Sequence, residues 1–124
     1  MDKKILFPEN FWWGAAMSGP QMEGTFDKPH ENYWYRMKKE DFFHQVGPTI
    51  ATDFYHHYKD DVKMMKSIGM NSFRTSIQWS RLIKDLETGE PDEAGAAFYQ
   101  NLIDECKKND IRLVLNLHHF DLPI

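Results

Sequence analysis

One cysteine, Cys106, stands in 124 residues, so no internal disulfide can staple the fold and stability must come from a packed core. No stretch approaches the ~20 apolar residues that a membrane-spanning helix needs. The opening residues, Met1-Asp2-Lys3-Lys4-Ile5-Leu6-Phe7-Pro8, carry charge but are not followed by an apolar core of about 7–15 residues, so no secretory signal is expected. Basic residues are in the minority. Fifteen Lys+Arg face 19 Asp+Glu, a formal charge of −4, which is the wrong balance for a nucleic-acid-binding face. These absences point to a cytoplasmic chain with neither a nucleic acid nor a membrane as partner, and 124 residues leave room for one domain at most.

Several chemistries are missing as well. There is no glycine-rich phosphate loop, no dinucleotide fingerprint and no nucleophile elbow; Trp12-Trp13-Gly14 only faintly mimics a glycine turn. The histidines come as adjacent pairs, His56-His57 and His118-His119. Neighbours in sequence are poorly placed to chelate one ion, and no i, i+4 pair or cysteine cluster accompanies them, so neither a metal nor another cofactor is expected.

Aromatic residues are plentiful: four Trp, five Tyr and nine Phe make 15% of the chain. Two uses are open, a core filled with rings or a wall on which a flat, partly apolar ligand such as a sugar stacks. The order of elements narrows the choice. Residues 11–16 read as a short buried strand, broken at Ser18-Gly19-Pro20. A polar, aromatic-studded loop follows, over about residues 21–52, with room for a short helix at 33–43. Loops of that length in compact domains usually carry function. Asp53 is a candidate N-cap for a helix whose inner face holds Phe54, Tyr58, Val62, Met65 and Ile68, with Lys59, Lys63 and Lys66 solvated and Gly69 as its stop. Residues 71–77 read as a second strand and 87–91 as a turn. Asp92 opens a helix with Phe98, Tyr99, Leu102, Ile103 and Cys106 inward, and Asn109-Asp110 closes it. Residues 111–117 form a third strand. Alternating units of this kind imply an α/β fold with a parallel sheet.

Parallel strands bring their C-terminal ends to one rim, where α/β folds hold their chemistry. Three polar clusters meet there: Gln21 and Glu23, then residues 74–81, then residues 118–121. Hydrogen bonding to a hydroxyl-rich ligand is the chemistry they suit, since a carboxamide and a neutral imidazole each donate and accept. Trp13, Trp79 and Phe120 are placed to pack beside it. Plainer roles stand alongside. Gln21 could satisfy loop backbone. Glu23 is read as structural, a capping carboxylate rather than a catalytic one, and Arg81 as a loop tie. Arg74 inside an apolar strand must be paired, either structurally or with a carboxylate at the sheet mouth. His118 and His119 point to opposite sides of an extended strand, so one of them is a packing histidine.

These residues resemble the N-terminal part of glycoside hydrolase family 1, the β-glucosidase-like (β/α)8 barrels. The likeness runs from Phe7 to Pro123. Phe11-Trp12-Trp13-Gly14-Ala15-Ala16-Met17-Ser18 with Gln21-Met22-Glu23-Gly24 resembles the family's opening strand and its sugar-binding glutamine. Asp53-Phe54-Tyr55-His56 with Tyr58-Lys59-Asp60-Asp61 resembles its first barrel helix. Phe73-Arg74-Thr75-Ser76-Ile77-Gln78-Trp79-Ser80-Arg81 and His119-Phe120-Asp121-Leu122-Pro123 resemble the second- and third-strand signatures.

The resemblance implies that Gln21 and His119 hydrogen-bond hydroxyls of the sugar being cleaved off, around one pocket. It implies that Phe120 packs against that sugar where most members carry Trp, and that Arg74 sits beside the nucleophilic carboxylate and keeps it ionised. The Ser18-Gly19-Pro20-Gln21 and His118-His119-Phe120 wording is most similar to the 6-phospho-β-glucosidases of bacterial sugar uptake. The implied ligand is therefore a small-molecule β-glucoside carrying a 6-phosphate, cleaved with retention of configuration and without a cofactor.

Retention needs two carboxylates about 5–5.5 Å apart. In the family they come from later strands, in Asn-Glu-Pro and Glu-Asn-Gly motifs, and neither motif occurs here; Glu9-Asn10-Phe11 precedes the first strand. No catalytic residue is assigned. A bare barrel takes about 250 residues, so residues 1–124 are expected to form a partial barrel domain of three strands and two barrel helices. The chain is read as a fragment, inactive alone, with an open apolar edge at its third strand. A non-catalytic sugar-binding half-module is the competing reading.

Overall fold

A computed structural model describes residues 4–124, apart from the side chains of Tyr35, Arg36 and Lys39; Met1, Asp2 and Lys3, part of the opening stretch read above for a signal, lie outside the described residues. The elements follow one another as β1 (Gly14–Ala16), α1 (Gly19–Met22), α2 (Tyr33–Arg36), α3 (Phe54–Ser67), β2 (Ser72–Ser76), α4 (Trp79–Leu82), α5 (Glu93–Lys108) and β3 (Arg112–Asn116). Single 3-10 turns at Lys39–Asp41 and Phe43–Gln45 punctuate the long loop after α2. The strands form one sheet in the order β1-β2-β3, and both pairings are parallel. Arg74 lies between Ala16 on one side and Val114 on the other.

Each strand is a ruler of period two. On β2, Phe73 and Thr75 face the helices: Phe73 meets the Phe54 ring at 5.8 Å, and Thr75 Oγ1 reaches Met22 Sδ. Ser72, Arg74 and Ser76 therefore take the other face. The helical layer supplies Phe54, Tyr58 and Val62 from α3 and Phe98, Tyr99, Leu102 and Cys106 from α5, all buried. Tyr58 and Phe98 meet edge to face at 5.5 Å, and Tyr55 adds a further ring against Phe98. Core packing thus absorbs many of the aromatic residues. Trp12, Trp13, Tyr33, Phe43 and Phe120 remain exposed.

The helix ends show what the local sequence dictates and where it misleads. Asp92 caps α5 by accepting from the Gly95 amide at 2.8 Å. Gly69, at φ +88°, takes the left-handed turn that stops α3, and Asp110, at φ +54°, does the same after α5. Asp53 occupies the N-cap position of α3, where its carbonyl accepts from the His56 and His57 amides. Its backbone is itself left-handed, at φ +55°, and its side chain makes no cap hydrogen bond. The carboxylate is turned onto His56 Nδ1 and His57 Nε2 instead, at 2.6 and 3.5 Å. Ile68 is another correction: it follows the last helical residue and is 70% exposed rather than inward.

The first strand is shorter than residues 11–16. It begins at Gly14, whose backbone runs so close to β2 that a Cβ there would stand 2.1 Å from the Ser72 carbonyl oxygen. Trp13 therefore precedes the sheet. Its carbonyl accepts from Asn71 and Ser72 at the start of β2, and its ring packs on Phe7 and Phe11. That is the rim opposite the strand ends, so Trp13 cannot serve a ligand there. Along β3, Val114 is exposed, as is Leu117 just beyond the strand. No helix among the described residues is long and apolar enough to cross a membrane.

Truncating Phe73 to Ala removes the ring that joins sheet to α3 and is expected to cost about 3–5 kcal/mol. Ile68→Ala is expected to stay within about 0.5 kcal/mol, as for other exposed positions. Urea unfolding of both variants checks the contrast.

Candidate functional site at the strand ends

The C-terminal ends of the three strands are drawn together by backbone and hydroxyl ties. The Met17 amide donates to the Arg74 carbonyl at 2.9 Å. The Gly19 amide donates to Ser76 Oγ at 2.9 Å, which seats α1 on the end of β2. The Ile77 amide donates to the Asn116 carbonyl, which carries the β2–β3 ladder one step past the last paired residue.

Beneath this rim lies a buried ion pair. Glu23 and Arg81 are both fully buried, and Arg81 Nε donates to Glu23 Oε2 at 2.8 Å. The carboxylate also accepts from Gln78 Nε2 at 2.7 Å and from the Tyr99 hydroxyl at 3.1 Å. Burial pushes the Glu23 carboxyl upward, and Arg81, with the Gln78 and Tyr99 donors, opposes that push. Burial likewise drives the Tyr99 phenol well above its ordinary value, with the Glu23 charge adding to it, so Tyr99 is a neutral donor. Arg81 spends its Nη1 on the Phe26 carbonyl at 2.7 Å and lays its plane 4.0 Å from the Tyr55 ring centroid. Its Nη2 is buried without a hydrogen-bond partner among the described residues. Glu23 is thus a structural carboxylate, but as half of an ion pair rather than as a cap.

A second buried acid stands beside the first. Asp121 is fully buried. It accepts from the Ser80 amide at 2.9 Å and from Ser80 Oγ at 2.8 Å. Asn32 Nδ2 also donates to it, and the Lys28 ammonium sits 3.7 Å away. The Lys28 side chain is only 2% exposed, and it donates to Gln78 Oε1 at 2.6 Å. Desolvation lowers the Lys28 ammonium to about 8, against the pull of Asp121. Arg81, Glu23, Lys28 and Asp121 form one network joined by the Gln78 amide, with two positive and two negative charges.

Above the network is the open rim. Arg74 Nη2 and His119 Nδ1 face each other at 3.4 Å. β3 ends at Asn116 and the chain then turns, so it is His119, and not His118, that meets Arg74. Phe120, at φ +63°, is left-handed, a conformation costing an aromatic residue about 1–2 kcal/mol. Its ring rests near Trp34 and packs against His119, with centroids at 6.3 and 4.8 Å. Trp79 donates its Nε1 proton to the Leu117 carbonyl, so its polar edge is spent on the backbone.

Gln21 is exposed on α1 and accepts from Ser18 Oγ at 2.8 Å. Arg74 and His119 are therefore brought into direct contact, while the Gln21 side chain is bonded within its own turn. A cleft of about 610 Å³ opens beside the rim, lined by loop residues that include Lys28, His30, Trp34, Phe42 and Thr49. Gln21, Arg74 and His119 do not line it. The long loop owes its shape to this region: the His30 amide donates to the Ser80 carbonyl, and the Ile124 amide donates to the Glu31 carbonyl. Lys28 and Asn32 carried no signal in the sequence, where each is an ordinary polar loop residue. Tyr99 reads as core from its helical position, and only its hydroxyl partners reveal the second role.

Comparison with known proteins places this geometry. The profile of Glycosyl hydrolase family 1 matches residues 3–124. The chain is 46% identical over 127 residues to the 6-phospho-beta-glucosidase GmuD of Bacillus subtilis, covering 98% of this chain and 27% of that protein. It is 38% identical over 139 residues to the 6-phospho-beta-glucosidase AscB of Escherichia coli, covering 96% of this chain and 29% of that one. Among solved structures, the AHE enzyme from Alicyclobacillus herbarius superposes with a TM-score of 0.85 at 34% identity, over 98% of this chain and 28% of that chain. The chain belongs to glycosyl hydrolase family 1. Its α/β fold is the N-terminal three strands and two barrel helices of a (β/α)8 barrel, α3 and α5 being those helices, and it spans between a quarter and a third of the length of these relatives.

Two outcomes follow from the buried charges. Glu23→Ala leaves the Arg81 guanidinium buried without its acid and is expected to cost about 3–5 kcal/mol in chemical denaturation. Lys28 gives a pH signature. The folded ammonium releases its proton at about 8 and the free side chain at 10.5. Between those values the unfolded chain holds more protons, so stability attributable to Lys28 rises with pH across the window. The full effect is about 3 kcal/mol. The difference in unfolding free energy between wild type and Lys28→Met, measured from pH 7 to 10.5, isolates this rise; a flat difference contradicts it.

Proposed function

We propose that the chain is the sugar-facing N-terminal part of a retaining β-glucoside hydrolase acting on 6-phospho-β-glucosides in cytoplasmic carbohydrate metabolism. The observation that carries the reading is the Arg74–His119 contact, 3.4 Å long, at the ends of β2 and β3. A guanidinium and an imidazole side by side on an open rim suit an acidic partner and a row of hydroxyls. In this reading Arg74 orients the nucleophilic carboxylate and keeps it ionised. Gln21 and His119 hydrogen-bond the sugar hydroxyls, and the exposed Phe120 ring packs on the sugar face. The Ser18 bond holds the Gln21 carboxamide in one orientation, leaving its amino group to donate. The phosphorylated substrate class is supported by the likeness to GmuD and AscB. The reaction's two carboxylates are not supplied by these 124 residues, which contain neither family motif, so the chain alone is expected to give no turnover.

The test is a chimera in which residues 1–124 replace the matching part of GmuD. It is expected to hydrolyse p-nitrophenyl 6-phospho-β-glucoside in preference to the unphosphorylated glucoside. Arg74→Ala is expected to lower kcat by about 10²–10³, the size of a lost transition-state electrostatic contact. Gln21→Ala and His119→Ala should each cost about tenfold in kcat/KM, as single hydrogen bonds do. A folded chimera without glycosidase turnover overturns the reading. Sugar binding with neither turnover nor an Arg74 effect favours a non-catalytic binding module.

A further inference from the structure

The buried cluster behind the rim has a role beyond stability. We propose that Lys28 and Asp121 are positioning residues that hold the turn carrying His119 and Phe120 against Arg74; the proposal rests on the sugar-handling reading of that rim. The turn does not hold itself. Phe120 is left-handed at φ +63°, and β3 has already ended at Asn116, so the β2–β3 ladder does not reach His119 and Phe120; backbone pairing resumes only at Pro123, which bridges to Asn32. On the near side the turn is tied by Trp79 Nε1 to the Leu117 carbonyl. On the far side the side-chain tie is Asp121, beside the backbone bond from Ile124 to Glu31.

Among the described residues, Asp121 receives neutral donors from Ser80 and Asn32 and has the Lys28 ammonium beside it. The other charged groups of the cluster, Glu23 and Arg81, engage each other and reach Lys28 through Gln78. The orientation of Gln78 gives Lys28 its direction. Gln78 Nε2 donates to Glu23 at 2.7 Å, so Oε1 must face the opposite way, onto Lys28 at 2.6 Å. Withdrawing the ammonium would remove the Lys28 hydrogen bond from Gln78 and a positive charge from beside Asp121. Lys28 is thus the link through which the Glu23–Arg81 anchor reaches the turn. Its side chain is 2% exposed and that of Asp121 is fully buried, so both act through His119 and Phe120 rather than by touching sugar.

The test uses the 124-residue chain, 15N-labelled, with the His119 imidazole assigned by its loss in His119→Gln. Lys28→Met and Asp121→Asn are each expected to stay folded by far-UV circular dichroism while the His119 Nδ1 resonance moves. Binding of methyl β-glucoside, followed by chemical-shift titration, should weaken at least tenfold. The double variant removes both charges and is expected to recover part of both losses, which a merely destabilising pair would not do. Should Lys28→Met fail to fold, Lys28→Gln keeps a donor for Gln78 and removes the charge. An unmoved His119 resonance in both single variants overturns the proposal. So does sugar binding equal to wild type. A wild-type chain that binds no methyl β-glucoside, while the resonance still moves in the variants, counts against the sugar reading and leaves the positioning role supported.

Discussion

The ion pair between Glu23 and Arg81 is the constraint on which the arrangement of the strand ends depends. Its members are 58 residues apart and have no contact with water. Removing two charges from solvent is costly, and their attraction repays the cost only when the remaining hydrogen-bonding capacity is also satisfied. Gln78, Tyr99 and the Phe26 carbonyl meet most of that requirement, and the Tyr55 ring covers the guanidinium. The three hydrogen-bonding partners come from the loop after β1, the bend after β2 and helix α5. The pair therefore cannot form unless all three are in register. It specifies the relative position of elements more than it adds net stability.

The second acidic node extends the same logic to the third strand. Asp121 follows β3, Ser80 belongs to α4, and Asn32 and Lys28 lie in the long loop. A loop of that length would otherwise cost closure entropy with little return. Here its polar residues are spent inside the protein on the strand ends, so the loop is ordered by the site it borders. The rim itself is built from groups left over once these internal needs are met. Arg74 and His119 stay partly accessible and face each other, and Phe120 is presented in a strained backbone held from both sides. Backbone strain of this kind clusters at functional sites.

Much of the architecture was legible along the chain. The apolar spacing of Phe54, Tyr58 and Val62 and of Phe98, Leu102 and Cys106 locates the two barrel helices, and Asp92, Gly69 and Asp110 mark helix ends through local backbone chemistry. Arg74 stands out because a guanidinium within an apolar strand needs a partner. Asp53 marks the start of α3 as its position suggests, yet its short side chain also tolerates the left-handed backbone observed here, and it then serves two histidines instead of the helix amides. Trp13 was misplaced because the strand begins at Gly14, three residues later than its apolar neighbours suggest, which leaves the ring before the sheet, at the end opposite the strand C-termini.

By itself, the sequence determined the element types, the parallel order of the units, and the family signature around Gln21, Arg74 and His119, because these rest on periodicity and on contiguous residues. Tertiary structure alone decided the partners. That Glu23 meets Arg81, that Lys28 bridges Gln78 and Asp121, and that His119 rather than His118 faces Arg74 all depend on bringing residues 45 to 93 positions apart within a few ångströms. Pairings of that kind leave no periodic trace along the chain. They are fixed only when burial makes an unpaired charge too costly and one set of neighbours is within reach.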